Sequence, residues 1–415
     1  MWITMDAIAE RRCAMGLIER VEYLEWLDVW KEKKLVKVVS GVRRCGKSTL
    51  FSMFRDHLKE SGVEQSQIID INFENLDYEH LSDYRALYDY VNARLDPRTT
   101  NYVFLDEIQH VEHFEKAVDS LFVKDNVDVY VTGSNAYFMS GELATLLSGR
   151  YIELKMLPLS FKEFCAMKEN AGLSRNRLFG EYIAKGSFPF VSDFKLDKQQ
   201  TQAYLRDLYN TILLNDVVSR LKVSDVSTLE NVTKFLLHNI GNRVSVRKIS
   251  DTLKSSGRGA DVKTVSKYLR GLTDSLVLYS APRFNLKGKQ LLATNEKYYV
   301  VDIGLRNALV KGKDSDIGHI LENVVYLELL RRGYDVYVGE LESGEVDFVA
   351  VKPGETAYYQ VAATTLDEST LARELAPFRK ITDNYPKVLL TLDELFGEAD
   401  YDGVRKRNVL DWLLD

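Results

Sequence analysis

The segment from Gly41 to Ser48, GVRRCGKS, constrains the fold more than any other part of this sequence. Gly41 and Gly46 permit backbone angles at which successive amide groups point inward around an anion. The apolar run LVKVV before the segment predicts a strand, and STLFSMF after it predicts a helix whose positive dipole end faces the loop. This order of strand, loop and helix predicts a nucleoside triphosphate site at the edge of a parallel sheet.

The residues of this loop have separate predicted roles. We expect Lys47 to reach the β- and γ-phosphates of ATP, and the Ser48 hydroxyl to bind Mg²⁺ with Thr49 beside it. Oxidation of Cys45 could block the nucleotide, because this thiol lies inside the loop. The predicted nucleotide-binding residues of the loop are Gly41, Val42, Arg43, Arg44, Cys45, Gly46, Lys47, Ser48 and Thr49.

A second motif, YVFLDE at residues 102–107, supplies the acids that such a loop needs. The apolar strand ends in Asp106, which is placed to hold Mg²⁺ directly or through water. Glu107 follows at the strand tip, where its carboxylate would polarise the attacking water. A solvated acidic turn is the alternative, since two acids often follow an apolar strand. The preceding phosphate loop favours the catalytic interpretation.

Two further positions are candidates for contact with the γ-phosphate. Ser134 or Asn135, in YVTGSNA, follows a core strand and would orient the water, although both residue types also form ordinary turns. Arg150, in LLSGRY, could stabilise transition-state charge in its own chain or from a neighbouring subunit. A dipole or salt-bridge partner at a helix end is the alternative for Arg150. The predicted catalytic residues are Glu107, Lys47 and Arg150.

Length and patterning predict more than one domain. The chain has 415 residues, more than one ordinary core accommodates. Its first half alternates β-branched runs with amphipathic helices, which predicts an α/β fold with a parallel sheet covered on both faces. Helical patterns follow, then three short helices with a hairpin that resemble a winged helix, then a separate α/β unit. The predicted domains are 1–158, 159–223, 224–294 and 295–415.

Composition excludes several classes of protein. The longest apolar runs are far shorter than the roughly 18–20 residues of a membrane span, and charged residues occupy the place of a secretory core. We therefore expect a cytoplasmic protein without a membrane partner. Three cysteines, Cys13, Cys45 and Cys165, are widely spaced and lack histidines at metal-ligand spacing, so neither a disulfide framework nor a zinc site is predicted.

Positive charge is concentrated in one segment of this acidic chain. Residues 224–290 contain 12 Lys and Arg against 5 Asp and Glu, an excess of +7 in a protein of net charge −6. Such a segment can bind a phosphate backbone, and the helix from Val262 to Leu272 would carry one positive stripe. Solvated helix faces and a protein-docking surface stay open as alternatives. The candidate DNA-binding residues are Arg247, Lys248, Lys263, Lys267 and Arg270.

The chain resembles the AAA-superfamily ATPases of archaea and bacteria that carry a domain of unknown function (number 4143) in the C-terminal half. The resemblance covers nearly the whole sequence, and its segments occur in the same order. They are KVVSGVRRCGKSTL, YVFLDEIQHV, VTGSNAYFMSGELATLLSGRY, PLSFKEF, KGSFPFV, LYNTILLNDVV, TVSKYLRGLTDSLVLY, YYVVDIGLRNAL, GHILENVVYLELLRRGYDVYVG, EVDFVAV and YYQVAATT.

This resemblance implies an ATP-binding module, a winged helix and a C-terminal domain similar to restriction endonucleases. Those nucleases need an acid on a helix, an Asp on a strand, and an acid and a Lys on the next strand. Glu322 and Asp347 match the first two positions, whereas Gln360 and Ala362 replace the acid and the Lys. We therefore expect a C-terminal domain that does not cleave nucleic acid, with Lys352 the only nearby cation that could substitute.

Three functions follow from these observations. The first is an Mg²⁺-dependent ATPase that couples nucleotide state to the winged helix and the nuclease-like domain, and thereby to DNA or to a protein partner. The second is a signalling or scaffold protein that binds ATP as a switch with little turnover. The third, a DNA-processing enzyme with a live nuclease, is disfavoured by Gln360 and Ala362. Oligomerisation is compatible with all three.

Overall fold

A computed structural model describes residues 18–133, 147, 149–168, 172–193, 196–255, 257, 259–310, 317–395 and 397–415. The chain divides into two compact units. The first comprises Met1–Pro158 with Asp274–Leu276, and the second comprises Leu159–Thr273 with Val277–Asp415. Each unit contains its own sheet.

Five parallel strands form the sheet of the first unit. They are β1 Val36–Gly41, β2 Ile68–Asn72, β3 Asn101–Asp106, β4 Val127–Gly133 and β5 Tyr151–Met156, arranged in the order β2-β3-β4-β1-β5. The three central strands, β3, β4 and β1, are buried along their whole length, as in a parallel sheet that is packed on both faces. The α/β fold predicted for this part of the chain is confirmed.

Helices of the first unit alternate with these strands. Apolar side chains on their inner faces, such as Leu87 and Val118, join Val103 and Val129 of the sheet in one buried cluster. The start of the third helix is set by Asp83, whose carboxylate accepts hydrogen bonds from two backbone N–H groups of the first turn. The helices are α1 Val21–Trp30, α2 Lys47–Glu60, α3 Tyr84–Asn92 and α4 Phe114–Phe122.

The carboxyl ends of the parallel strands meet at one edge of the sheet. Asn72 at the end of β2 lies beside Asp106 at the end of β3, and Ser40 near the end of β1 lies beside Gly133 at the end of β4. Strand β4 therefore separates the strand that leads into the phosphate loop from the strand that ends in the predicted acids. Loops at this edge of an open α/β sheet are the usual place for a ligand.

The second unit begins with helices. The longest, α8, continues through a π-helical segment, Leu213–Val218, into a last turn at Ser219–Leu221. Ser245 and Asp261 cap α10 and α11 by accepting hydrogen bonds from the backbone N–H groups of Lys248 and Thr264, as their side-chain types predict. The helices are α5 Phe161–Met167, α6 Arg175–Lys185, α7 Pro189–Asp193, α8 Lys198–Ile212, α9 Val226–His238, α10 Val246–Ser255 and α11 Val262–Asp274.

A mixed sheet of eight strands follows in the second unit. Its strands are β6 Leu278–Asn285, β7 Gln290–Val300, β8 Asp335–Glu340, β9 Glu345–Lys352, β10 Glu355–Ala362, β11 Lys387–Thr391, β12 Ala399–Tyr401 and β13 Val404–Asn408. Their order is β12-β13-β11-β10-β9-β8-β6-β7. The hairpin of β6 and β7 joins this sheet through the parallel pair β6 and β8. The domain boundary that the sequence suggests at residue 294 therefore falls inside β7.

The remaining helices of the second unit are α12 Ile303–Leu309, α13 Ile317–Arg331, α14 Glu368–Leu375 and α15 Val409–Leu414. Helix α14 ends two residues before Pro377, which has no backbone N–H with which to continue the helical hydrogen bonds. One turn of 3₁₀ helix, Phe378–Lys380, follows the proline.

Candidate functional site

The loop after β1 has the backbone conformation that its glycines predict. Gly46 has φ +107° and Arg44 has φ +65°, both in the left-handed region. A side chain at Gly41 would place its Cβ 2.5 Å from the carbonyl oxygen of Met156. Helix α2 begins at Lys47, directly after this loop, and its 14 residues bring the positive end of the helix dipole to the same place. The cradle is therefore suited to a phosphate.

Lys47, the first residue of α2, is buried. Its ammonium Nζ is 3.1 Å from the carbonyl oxygen of Gly41 and 3.5 Å from Oε1 of Glu107. The loop thus brings the predicted phosphate-binding cation and the predicted water-activating acid into contact. The Glu107 carboxylate offsets the positive charge of Lys47, and a bound anion would compete with that carboxylate for the ammonium.

Asp106 is held by two hydrogen bonds that sequence reasoning missed. Its Oδ2 accepts one from Asn72 Nδ2 at 3.1 Å, and its Oδ1 accepts another from the Thr132 hydroxyl. Asn72 and Thr132 lie on the two strands that flank Asp106, near the ends that share its edge of the sheet. Polar side chains at the ends of these strands indicate a site at that edge of the sheet, but only the order of the strands identifies Asn72 and Thr132 as neighbours of Asp106.

Glu107 is fixed from three directions. Its backbone has φ +55°, and its N–H donates to Thr132 Oγ1 at 2.8 Å. Besides Lys47 on Oε1, Gln109 Nε2 donates to Oε2 at 2.5 Å. Gln109 is a further residue that the sequence did not single out. A non-glycine residue in the left-handed region costs conformational energy, and such strain concentrates at functional sites.

The other residues of the loop differ in exposure. Ser48 and Thr49, in the first turn of α2, are exposed, so the Ser48 hydroxyl is accessible to a ligand. Arg44 is exposed, and the Arg43 guanidinium lies 3.6 Å from the Glu74 carboxylate.

The remaining loop side chains, those of Val42 and Cys45, are buried. Burial raises the pKa of the Cys45 thiol, which keeps it protonated and unreactive. Oxidation of this cysteine is therefore disfavoured while the thiol stays buried.

Arg150 lies at the opposite edge of the sheet from the loop. It directly precedes β5, and its carbonyl oxygen accepts a hydrogen bond from the N–H of Val36 at the start of β1. One strand length, roughly 17–20 Å, separates it from the loop in the same chain. Its side chain is half-exposed, with Asp119 4.0 Å away and the ring of Phe122 beneath it. The structure therefore corrects the interpretation in which Arg150 reaches the γ-phosphate of its own chain.

The other predicted sensor residues, Ser134 and Asn135, lie outside the described residues.

The predicted DNA-binding side chains are all exposed. They lie on α10 and α11 of the second unit, and the opposite face of α11 is buried through Val265, Tyr268 and Leu272. Arg247 forms a weak ion pair, 3.9 Å long, with Asp251 one turn away. The five residues are Arg247, Lys248, Lys263, Lys267 and Arg270.

In the second unit, the two acids expected from the nuclease resemblance lie close together. Glu322 on α13 and Asp347 on β9 both contact the buried ammonium of Lys297 on β7, at 2.8 Å and 3.5 Å. Lys297 was missed, because it belongs to a strand far from the expected motif. Lys352, the cation that the sequence suggested, pairs instead with Glu355 at 3.0 Å.

The two replaced positions of the nuclease motif are occupied by neutral, buried side chains. Gln360 donates from Nε2 to Glu374 at 2.9 Å, and its Oε1 accepts from the backbone N–H of Asp347 at 3.2 Å. Ala362 carries no polar side-chain group. Burial and the neighbouring Glu322 raise the pKa of Asp347 to about 7, although Lys297 opposes this shift.

The strand order, the phosphate loop and the acids at the end of β3 define the first unit as an AAA-type P-loop NTPase fold. A family model described as "AAA domain" matches residues 33–165. A second model, "Domain of unknown function (DUF8612)", matches residues 176–316, so it differs in number and position from the domain that the resemblance named. The chain belongs to the same family as an uncharacterized protein of Haemophilus influenzae, with 41% identity over 402 residues, 96% of this chain and 99% of that protein.

More distant similarities extend to archaea. An uncharacterized protein of Methanocaldococcus jannaschii is 29% identical over 368 residues, which cover 83% of this chain and 78% of that protein. Among solved structures, the Walker-type ATPase of Pyrococcus abyssi aligns with a TM-score of 0.49 at 15% identity, over 71% of this chain and 96% of that one. Among the described residues of this chain, no helix combines the length and apolarity that a bilayer crossing requires.

Proposed function

We propose that the protein binds ATP·Mg²⁺ and hydrolyses ATP in its first unit, and that its second unit conveys the nucleotide state to DNA or to a protein partner. The contact between Lys47 and Glu107 carries this proposal. It brings a phosphate-binding cation and a candidate general base within 3.5 Å at the carboxyl edge of the sheet. Such a base must lie within reach of a water beside the phosphate.

Nucleotide binding would change the partner of Lys47. The β- and γ-phosphates carry more charge than a carboxylate and would draw the Lys47 ammonium away from Glu107. Oε1 of Glu107 would then be able to accept a proton from water. Gln109 would continue to hold Oε2 and so orient the carboxylate.

Asp106 and Ser48 are the groups that would hold Mg²⁺. Asn72 and Thr132 orient the Asp106 carboxylate, so its position does not depend on the ligand. When bound, the ion neutralises phosphate charge. Ser48 is exposed in the first turn of α2, where its hydroxyl can turn toward a ligand in the loop.

A second candidate is an ATP-binding switch with little turnover. The observation that favours it is the double engagement of Glu107 by Lys47 and by Gln109. If Gln109 keeps the carboxylate away from water after nucleotide binds, ATP would alter contacts without being cleaved. Steady-state turnover separates this function from the first.

For the second unit we propose a winged helix formed by α9, α10, α11 and the hairpin β6–β7, followed by a restriction-endonuclease-like domain that does not cleave. The exposed positive stripe on α11 supports contact with a phosphate backbone, and a protein partner is the alternative. Gln360 and Ala362 lack the charges that hydrolysis would need, which disfavours a live nuclease.

Two variants test the proposed ATPase. We expect Lys47→Ala to lose binding of a fluorescent ATP analogue, because the cation that meets the phosphates is gone. We expect Glu107→Gln to keep that binding while kcat falls by about 10²–10⁴-fold, the usual contribution of a general base. The measurements are equilibrium binding and steady-state phosphate release with Mg²⁺, with and without duplex DNA.

The matched control is Glu112→Gln, which removes an exposed acid near the same edge. Wild-type turnover in Glu107→Gln would show that another group activates the water. Tight ATP binding by the wild type without turnover in either condition would favour the switch.

A further inference from the structure

Lys297 lies at the centre of a cluster of acids in the second unit, remote in sequence from the nucleotide site. Its ammonium is 2.8 Å from Glu322, 3.0 Å from Glu345 and 3.5 Å from Asp347, and its side chain is 3% exposed. We propose that Lys297 is a built-in counter-ion that occupies the place of a divalent metal between these carboxylates. The cluster then stabilises the second unit and takes up no metal ion.

The first support is the balance of charge. Carboxylates and cations alternate along a continuous chain of ion pairs that begins with Glu322 and Lys297. Lys297 contacts Glu345, Arg243 contacts Glu345 at 2.6 Å and Glu340 at 2.5 Å, and Arg283 contacts Glu340 at 2.7 Å. Three carboxylates thus meet three cations. Asp347, which Lys297 also contacts, is a fourth carboxylate, so a divalent ion would find an excess of only one negative charge here.

The second support is that the coordinating atoms already have partners. Oε1 of Glu322 accepts hydrogen bonds from Lys297 at 2.8 Å and from the Tyr299 hydroxyl at 2.6 Å. Oδ2 of Asp347 accepts from the backbone N–H of Val361 at 3.0 Å. Gln360, in the third position of the nuclease motif, is bound to Glu374. The oxygen atoms that a metal ion would need therefore already have cationic or hydrogen-bonding partners, and Lys297 is the partner that Glu322, Glu345 and Asp347 share.

The third support is the position of Lys297 relative to a catalytic lysine. In the nuclease motif the lysine belongs to the strand of Ala362 and steadies a water beside the metal. Lys297 comes from β7 and contacts the carboxylates themselves. Within the described residues, no group of three or more His, Cys, Asp or Glu is arranged to hold a metal. Lys297 is therefore a substitute for the ion rather than a relocated catalytic lysine.

The arrangement also explains how the helices α9 and α10 connect to the sheet. Arg243 lies between these helices, and the adjacent backbone pairs with β7, where the N–H of Gly241 donates to Tyr298 and that of Val244 donates to Glu296. A side chain at Gly241 would place its Cβ 3.1 Å from Oε2 of Glu322. The ion pairs of Lys297 and Arg243 thus join the turn, β7, α13 and β9 in one network, buried at Lys297 and partly exposed at Arg243.

The test replaces Lys297 with methionine, which keeps the length of the side chain and removes its charge. We expect the full-length wild-type protein, without nucleotide, to take up no Mn²⁺ in this cluster, whereas Lys297→Met binds one additional Mn²⁺ per chain at free concentrations up to about 1 mM. Electron paramagnetic resonance of free Mn²⁺ measures how many ions each protein binds. Binding at the phosphate loop is common to the wild type and Lys297→Met, so it cancels in the difference between them. The additional site should vanish in Lys297→Met/Asp347→Asn.

Thermal unfolding gives a second readout. Lys297→Met should unfold at a lower temperature than the wild type in EDTA and should regain stability when Mn²⁺ is added. A variant that folds only in the presence of Mn²⁺ would also support the inference. Lys352→Met, which removes a surface lysine of β9, is the matched control and should show neither effect.

Three results would overturn the inference. The first is Mn²⁺ binding by the wild type that Asp347→Asn abolishes. The second is Lys297→Met protein that gains no Mn²⁺ site, or that Mn²⁺ fails to restore to the folded state. The third is nicking of supercoiled DNA by the wild type in Mg²⁺ or Mn²⁺ that Asp347→Ala abolishes.

Discussion

At the scale of single residues, Thr132 connects the two acids of the nucleotide site. Its hydroxyl donates to Asp106 and accepts from the backbone N–H of Glu107. One side chain thus orients the candidate metal ligand and stabilises the left-handed backbone of the candidate base. The hydroxyl has no exposure to solvent, so water cannot replace it.

We predict that Thr132→Val, which keeps the shape of the side chain, lowers stability by about 1–3 kcal/mol because it leaves two buried polar groups unpaired. We also expect kcat for ATP to fall by about 10–100-fold, and the Mg²⁺ concentration for half-maximal turnover to rise, since Asp106 loses its orienting partner. Magnesium titrations of turnover measure this effect. Thr233→Val, which removes a buried hydroxyl from α9, is the control and should leave the magnesium dependence unchanged. An unchanged magnesium requirement in Thr132→Val would restrict Thr132 to a structural role.

At the scale of elements, α11 combines a buried face with a positive face. Lys263, Lys267 and Arg270 recur at the spacing that places them on one side of a helix, and all three are exposed. The same helix buries Val265 and Leu272 on its other side. A helix with this division can pack on its neighbours while presenting charge to a polyanion.

We predict that replacing Lys263, Lys267 and Arg270 with alanine weakens binding to duplex DNA and makes it less sensitive to salt. Each phosphate contact contributes roughly 0.9 to the slope of log K against log salt, so the slope should become shallower by up to three such steps. Fluorescence anisotropy from low to physiological salt measures the slope. Replacement of Arg177, Lys198 and Arg373, which removes the same charge from exposed helix positions of the second unit outside α9, α10 and α11, is the control. Equal slopes for the two triple variants, or no binding at low salt, would leave protein docking as the role of α11.

At the scale of the whole molecule, the position of Arg150 bears on assembly. This residue lies at the amino edge of the sheet, whereas the loop lies at the carboxyl edge. Within one chain the arginine is about one strand length from the γ-phosphate position. A role in catalysis therefore requires a second chain whose Arg150 faces the loop of the first.

We predict that mixing Arg150→Ala protein with Lys47→Ala protein restores part of the ATPase activity that each has lost, because one mixed interface then contains both an intact loop and an intact arginine. Phosphate release as a function of the mixing ratio measures the rescue. Arg98→Ala, which removes an exposed arginine of the same unit, is the matched control and should keep full activity. Absence of rescue at every ratio would assign Arg150 to its contacts with Asp119 and Phe122.

Local sequence determined the nucleotide site to a large extent. A phosphate loop is built from consecutive residues whose backbone angles depend on glycine, so GVRRCGKS predicts the turn, the start of α2 and the place of Lys47 without knowledge of the rest. Asp106 and Glu107 follow from the end of a single apolar strand. The caps at Ser245 and Asp261 are local in the same sense, since each carboxylate or hydroxyl bonds a backbone group three residues away.

Tertiary structure decided every feature that depends on which strands are neighbours. Asn72 and Thr132 reach Asp106 only because β2 and β4 flank β3, and no spacing in the chain encodes that order. Arg150 follows the loop in sequence but lies at the other edge, because a crossover between parallel strands returns the chain to their amino ends. Lys297 reaches Glu322 and Asp347 from a strand of the hairpin. Its charge partners are set by packing across 25 and 50 residues of chain, a separation over which sequence patterns carry no register.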